Sequence, residues 1–349
     1  MPTTSHAQLE RFITRAFVRL GMPDADAATM GRLMADADLQ GSDGHGVIRL
    51  APYARRIRAG GVNLMPSIKV VQERAGMALL DGDNGMGHLV MSRAAEMAAE
   101  KARNTGIAWV GSQWSNHAGP ASLYARMALQ HDMIGLYFAV GNANHLPPWG
   151  GLDMLLSTNP IAAAIPSGEA GPIVLDMATT VAAYGKVKAK AQRGEMMPEG
   201  WMIDRTGKPL LDPKRSEEGF LMPIGGYKGY GLSLIVGLLA GTLNGAAMGR
   251  DVVDFNHDDT SKTNTGQAIC MIDISAFGDV AAFKQRVDVV ARDLRASERM
   301  EGVDRVWLPG EQSEERRVRY AKEGIPVAPA LWQQLAALAA ELDIAPLEQ

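Results

Sequence analysis

Cysteine is almost absent: Cys270 is the only one in 349 residues. A single thiol excludes an internal disulfide and any zinc site built on paired cysteines, and it fits a reducing compartment. Charge of one sign is scarce as well. The formal net charge is −4, so the electrostatic footprint of a nucleic-acid binder is missing. No run is apolar enough to span a bilayer. The most apolar stretch, residues 231–243, is short and glycine-rich and reads as a buried core helix. The N-terminus lacks the charged-then-apolar pattern of a secretory signal, and helix-compatible residues begin almost at once. A cytoplasmic location with no membrane contact is therefore expected. Catalytic signatures are missing too. Ile235 stands where a Gly-x-Ser-x-Gly elbow around Ser233 would need its last glycine, and no His-Glu-x-x-His occurs. Serine hydrolysis and zinc catalysis are disfavoured.

What is present reads as a globular α/β chain, with 46% hydrophobic and 21% charged residues, long enough for one large core or two modest ones. Leu9, Phe12, Ile13, Ala16, Phe17 and Leu20 share one helical face, and a second helix after Pro23 carries Ala27, Met30, Leu33, Met34 and Ala37. This helical hairpin delivers the loop Gly41-Ser42-Asp43-Gly44-His45-Gly46, and a helix through Tyr53 and Ile57 follows it. Short strands are expected at 68–73, 77–81, 107–111, 133–140, 172–176 and 267–274. Helices are expected from about 88 to 103, 121 to 130, 181 to 193, 280 to 297 and 330 to 342.

Between the second and third of those strands lies Gly82-Asp83-Asn84-Gly85-Met86-Gly87-His88-Leu89-Val90, which superficially resembles a dinucleotide fingerprint. Val90 replaces the third glycine, and the next strand ends at Gly111-Ser112-Gln113 without the acidic residue that would hold a ribose hydroxyl. A βαβ-like unit with a tight turn is the better reading.

Polar, glycine-flanked corners carry the candidates for chemistry. His45 and His117 sit where an imidazole can meet a substrate, and histidine is the natural acid or base near neutral pH. Each is as readily a loop histidine bonded to backbone. His145, beside Pro147-Pro148, lines the same cavity or simply packs; His88 carries no signal. Arg49 lies four residues after His45, a spacing from which a guanidinium can grip a carboxylate. Asp176 ends an apolar strand, as a cap for the next segment or as a ligand contact. Lys228, amid Gly225, Gly226, Gly229 and Gly231, suits an anion at a helix N-terminus.

In order along the chain stand Ser42…His45-Gly46-Val47…Arg49-Leu50…Tyr53, Ser115-Asn116-His117, Pro148-Trp149-Gly150-Gly151, Thr158-Asn159-Pro160, Asp176-Met177-Ala178-Thr179, Lys228-Gly229-Tyr230-Gly231 and Leu308-Pro309-Gly310-Glu311. In this the chain resembles the malate/L-lactate dehydrogenase family of the second, non-Rossmann type, across nearly its whole length. That family includes ureidoglycolate dehydrogenase, diketogulonate reductase, sulfolactate dehydrogenase and piperideine-2-carboxylate reductase. The resemblance implies an α/β, non-Rossmann malate/L-lactate dehydrogenase-like fold with interleaved domains: a helical substrate and dimerisation region, 1–75 with 285–349, and a nucleotide-binding α/β domain, 76–284. It implies a homodimer that uses NAD or NADP to move hydride between the cofactor and a small 2-hydroxy or 2-oxo carboxylic acid.

By position, His117 and His45 match catalytic or nicotinamide-contacting histidines, with His117 favoured for proton transfer. Arg49 and Ser42 match substrate-binding positions, and His145 is a further substrate-binding candidate beside them. His45, Asn116, Asn142, Asp176, Met177, Ala178, Lys228, Gly310, Glu311 and Gln312 match cofactor contacts; no metal is implied. Asp43-Gly44 before His45, Ser157, Pro120 and Gly141-Asn142-Ala143-Asn144-His145 depart from the commoner pattern, and the departures cluster at the expected substrate pocket. A reductase of cyclic imino acids is the alternative, and a catalytically silent nucleotide-binding sensor is the alternative of another class.

Overall fold

The fold is taken from a computed structural model that describes residues 1–348, apart from the side chain of Gln192. After a two-residue strand β1 (Thr3–Thr4), Ser5 starts helix α1 (His6–Arg19) with a capping box. The Ser5 hydroxyl accepts the Gln8 amide at 3.2 Å and the Gln8 side chain accepts the Ser5 amide at 3.0 Å. Leu9, Phe12, Ile13, Ala16 and Phe17 are buried against α2 (Asp24–Leu39), so the expected hairpin is present. A 3-10 turn, Val47–Arg49, leads into α3 (Leu50–Arg58).

Strands β2 (Lys69–Arg74) and β3 (Met77–Gly85), helix α4 (Gly87–Thr105) and strand β4 (Ile107–Ser115) follow. Ala94, Ala95, Ala98, Ala99 and Ala102 give α4 a flat buried face, which lets it lie close on the sheet. The helix expected at 121–130 is only one turn, α5 (Ser122–Ala125), continued as a 3-10 segment, Arg126–His131.

Next come β5 (Met133–Ala139), β6 (Ile161–Ile165), β7 (Ile173–Met177), α6 (Tyr184–Arg193), β8 (Met202–Asp204), β9 (Gly219–Leu221) and α7 (Tyr227–Ala240). The chain ends with β10 (Gln267–Asp273), α8 (Val280–Arg295), α9 (Glu311–Glu323), β11 (Ile325–Pro326) and α10 (Pro329–Leu342).

The main sheet has seven strands in the order β2-β3-β4-β10-β5-β6-β7. Only β3 and β4 run parallel, joined by the α4 crossover; every other neighbouring pair is antiparallel. A doubly wound dinucleotide fold would need a mostly parallel sheet, so the chain is α/β without a Rossmann sheet, as expected. The βαβ unit is present, and its glycines are closed off by the protein itself. A Cβ on Gly85 would stand 2.7 Å from Pro66, and one on Gly87 would stand 2.1 Å from the Asn116 carbonyl oxygen. No phosphate has room there.

Two expectations fail. Residues 231–243 do not form a buried core helix: in α7 the residues turned inward are Gly229, Ser233, Val236, Gly237 and Ala240, so the bulkier Ile235 and Leu238 face outward at 53% and 40% exposure. The inner stripe is small because Asn159 and Met248 press against Gly237. Strand β6 was not foreseen, since its Ile-Ala-Ala-Ala-Ile sequence is poor in the branched side chains that mark strands.

Three apolar clusters organise the interior. One joins α1, α2, α3 and α10; a second lies between the sheet and α4; a small third sits under β8, β9 and α6.

Candidate active site

Four chain segments, far apart in sequence, meet at one group of rings. Loop 41–46 brings His45 from the end of α2, and the residues just after β4 bring His117. Tyr53 projects from α3, and Phe255 comes from the loop before β10. The His45 and His117 rings stack with centroids 5.3 Å apart and planes 13° apart. Phe255 stacks on His117 at 6.0 Å, and Tyr53 meets Phe255 edge-on at 6.2 Å.

Each ring is held from behind. The Asp38 carboxylate, buried in the last turn of α2, accepts the Val47 amide at 2.7 Å, and it fills the space where a Cβ on Gly46 would be. That clamp fixes the loop around His45. Burial pushes the Asp38 carboxyl up to about 8; the Val47 amide opposes the shift and Asp43 adds to it. Arg56 is fully buried, donates to the carbonyls of Asp258 and Ser261 and to the Thr263 hydroxyl, and lies 5.1 Å from the Phe255 ring. It pins the loop that carries Phe255.

Asn116 anchors the segment leading to His117. Its amide donates to the Asn84 carbonyl at 2.8 Å and to the Gly85 carbonyl at 3.0 Å, and its Oδ1 accepts from Thr263 at 2.7 Å. At 1% exposure with every side-chain group engaged, Asn116 braces this segment.

The geometry at His117 fixes its tautomer. Its Nδ1 accepts the Gly119 amide at 3.3 Å and lies 2.6 Å from the Tyr53 hydroxyl. Because an amide can only donate, Nδ1 is the acceptor. Tyr53 therefore also donates there, and the neutral ring carries its proton on Nε2.

Burial first, then the Arg49 cation, holds His45 down at about 4. Burial, Arg49, His45 and His88 push His117 well below its ordinary range. Both rings are neutral at pH 7. Burial drives the Tyr53 hydroxyl upward, only partly offset by Arg49. The Arg49 Nε donates to the Gly44 carbonyl at 2.7 Å, so the cation is tied to the same loop as His45.

His88, without signal in the sequence, is fully buried beside this group, edge-on to Tyr53 at 6.1 Å and with neither ring nitrogen partnered. The buried Nδ1 of His45 also lacks a partner.

The other expected positions divide. Ser42 joins a polar chain: Gln40 donates to the Ser42 hydroxyl at 3.1 Å and to the Ser122 hydroxyl at 3.2 Å, and the Ser122 amide donates to the Asp176 carboxylate at 2.9 Å. Asp176 thus caps α5 and ties the His45 loop to the end of β7. Burial raises its carboxyl while the Ser122 bonds pull it back. Met177 and Ala178 continue from there, half-buried.

Asn142 donates to the Thr265 hydroxyl at 2.6 Å. Gly310 (φ +91°) leaves no room for a Cβ against the Val174 carbonyl. Glu311 is engaged by Arg295 at 2.7 Å, by Arg305 at 3.4 Å and by the Leu308 amide at 2.8 Å. Burial would raise its carboxyl, but those partners hold it low. Gln312 is exposed. Lys228 is exposed in the first turn of α7, after Gly225 and Gly226 at positive φ, and meets no carboxylate among the described residues.

His145 lies outside the imidazole stack. Its ring stacks on Tyr184 at 4.2 Å, and burial, together with Lys188 and His257 and against Asp254, brings it to about 4.

The family match covers residues 4–336 and is described as malate/L-lactate dehydrogenase. The chain belongs to this family. Malate dehydrogenase of Pyrococcus abyssi is 37% identical over 350 residues, covering 98% of this chain and 95% of that one. A Δ1-pyrroline-2-carboxylate/Δ1-piperideine-2-carboxylate reductase of Pseudomonas putida is 32% identical, with 92% of each chain covered. The solved sulfolactate dehydrogenase of Methanocaldococcus jannaschii superposes with a TM-score of 0.89 at 32% identity, covering 98% of both chains. As a member of the malate/L-lactate dehydrogenase family the chain is an oxidoreductase acting on 2-hydroxy acids, and the silent-sensor alternative falls away. No described helix is long and apolar enough to cross a membrane.

Proposed function

We propose that this dehydrogenase moves hydride between NAD or NADP and a small 2-hydroxy or 2-oxo carboxylic acid, with His117 as the proton-transfer group. The observation that carries this reading is the Tyr53–His117–His45 arrangement beside Arg49. A nicotinamide bound there supplies or accepts the hydride. Features that fit such a cofactor are the unpartnered Nδ1 of His45, the free ammonium of Lys228 at a glycine-bounded helix start, and the run Asp176, Met177 and Ala178 at the end of β7.

In the reducing direction a protonated His117 gives its Nε2 proton to the carbonyl oxygen as negative charge develops on it, which leaves a neutral ring hydrogen-bonded through Nδ1 to the Tyr53 hydroxyl at 2.6 Å. Arg49 holds the carboxylate by paired hydrogen bonds, so the reacting carbon is oriented before chemistry begins. Filling that guanidinium with an anion also offsets the charge that depresses both imidazoles.

Malate and sulfolactate, named for relatives, fall within this substrate class. Reduction of a cyclic imino acid is the second reading. Its support is the neutrality of both imidazoles: a protonated imine arrives with its own proton and asks none of them. A homodimer fits the outward Ile235 and Leu238 of α7, a cytoplasmic setting fits the lone Cys270, and the division of 1–75 with 285–349 from 76–284 remains our assignment of domains.

The test is a panel of pyruvate, oxaloacetate, sulfopyruvate and the two cyclic imines, each with NADH and NADPH, followed by cofactor absorbance. Oxidation with at least one 2-oxo acid supports the reading. Turnover with the imines alone selects the second, and turnover with neither class removes both.

A further inference from the structure

Beside the ring cluster, across loop 41–45, lies a cleft of about 530 Å³ lined by Trp307, Gln312, Glu315, Arg316 and Arg319. This volume is in the range of small-molecule sites. Its charges are unbalanced in a specific way. Glu315 is paired with Arg305 at 2.5 Å, and Arg305 in turn lies 4.0 Å over the Trp307 ring. On the same helix Arg317 faces Glu314 at 3.8 Å. Arg316 and Arg319 meet no carboxylate within ion-pair distance among the described residues; Arg319 rests over the Tyr320 ring at 5.0 Å. The cleft therefore holds a part-exposed indole and two guanidinium groups without a direct carboxylate partner, Arg316 feeling only the more distant Asp43.

Its position relative to the start of loop 41–46 is also fixed. The Arg316 Cδ stands 2.5 Å from the place a Cβ on Gly41 would take, so its side chain lies across the start of the loop that ends at His45. Asp43, on the rim, feels Arg316 and Arg193 but is not among the residues lining the cleft.

We infer that this cleft receives the adenosine end of the dinucleotide, with Arg316 and Arg319 on a ribose 2′-phosphate, so that the enzyme prefers NADP to NAD. A phosphomonoester dianion gives a guanidinium paired, charge-assisted hydrogen bonds, while a bare 2′-hydroxyl leaves both cations uncompensated. The Trp307 ring offers a face or edge for the adenine. The inference rests on the dehydrogenase reading above, and the experiment separates the two.

Calorimetry on the intact chain would compare 2′-phospho-ADP-ribose with ADP-ribose, neither of which can transfer hydride. We expect the phosphorylated ligand to bind about tenfold tighter or more, and Arg316→Ala and Arg319→Ala each to erase about tenfold of that preference. Arg316→Lys, which keeps the charge and loses the fork, should retain part of it and guards against a folding defect. In turnover, the NADPH-to-NADH ratio of kcat/KM should fall in parallel. Equal binding of the two ligands overturns the inference. A loss of affinity for both ligands alike in Arg316→Ala also overturns it, because the guanidinium would then serve the shared pyrophosphate. Selective binding of the phosphorylated ligand without turnover of any acid or imine upholds the cleft and refutes the dehydrogenase reading instead.

Discussion

Two glycine-rich corners of this molecule look alike in sequence and behave oppositely in space. At 82–87 the glycines exist so that the protein can press against itself: Gly82 faces the Trp114 carbonyl, Gly85 faces Pro66 and Gly87 faces the Asn116 carbonyl, all closer than a Cβ tolerates. At 41–46 Arg316 takes the space beside Gly41 and Asp38 the space beside Gly46, while Gly44 has nothing within 4 Å. The first corner is filled throughout and the second is open only at Gly44. A glycine marks a ligand cradle only where no atom of the protein already occupies the space it leaves.

The contrast can be broken most severely at His117. His117→Ala should lower kcat by about a hundredfold to ten-thousandfold, the usual contribution of a positioned acid or base, while the thermal midpoint changes little. A rate near that of the unmodified enzyme would end the assignment. Gly85→Ala should do the reverse. The added methyl must displace Pro66, 2.7 Å away, at about 1–3 kcal/mol in denaturant titration, with activity per folded molecule retained. Gly44→Ala should leave stability within about 0.5 kcal/mol, and matching losses in the two variants would erase the distinction between the corners.

Tyr53→Phe removes the hydrogen bond behind His117 and should cost about tenfold in the reducing direction, the scale of one lost hydrogen bond to a reacting group. The smallest expected effect is a flat line. His45 sits at about 4 and His117 well below 6.5, so kcat/KM, which reports the free enzyme, should show no inflection near pH 6.5. An inflection there would mean that the rings are not desolvated as described. The same depressed rings bind protons more readily once unfolded, so their contribution to stability should be lost as pH falls from 6.5 toward about 4, whereas the Asp38 carboxyl, raised to about 8, should lose its contribution as pH rises toward 8.

Much of this was legible in the sequence for a physical reason: amphipathic periodicity sets helices such as α1, and histidines between glycines are poor material for a core. His45 and His117 stand out that way and Arg49 through the family resemblance, and the three lie together. What sequence could not carry is partnership over distance. Asp38, Gln40 and Ser122 look like ordinary polar residues until the fold places them behind Gly46, Ser42 and Asp176. Asn116 and Glu311 are each held by several protein partners, which their position along the chain does not reveal. His88 gave no sign because a buried, unpartnered imidazole differs from a surface one only in its surroundings. The outward face of α7 was misread because an apolar run does not say which of its sides is narrow enough to approach a sheet.

The polar chain from Ser42 through Gln40 and Ser122 to Asp176 ties residues more than a hundred positions apart, and Phe255 and Arg316 reach the same neighbourhood from later still. Such a centre has no local nucleus and closes only after widely separated segments have met, which is the slow part of folding. On dilution from denaturant, helical signal should therefore return ahead of enzymatic competence, and a nascent chain released before α9 emerges would hold its imidazoles in place without the arginines that complete the cleft.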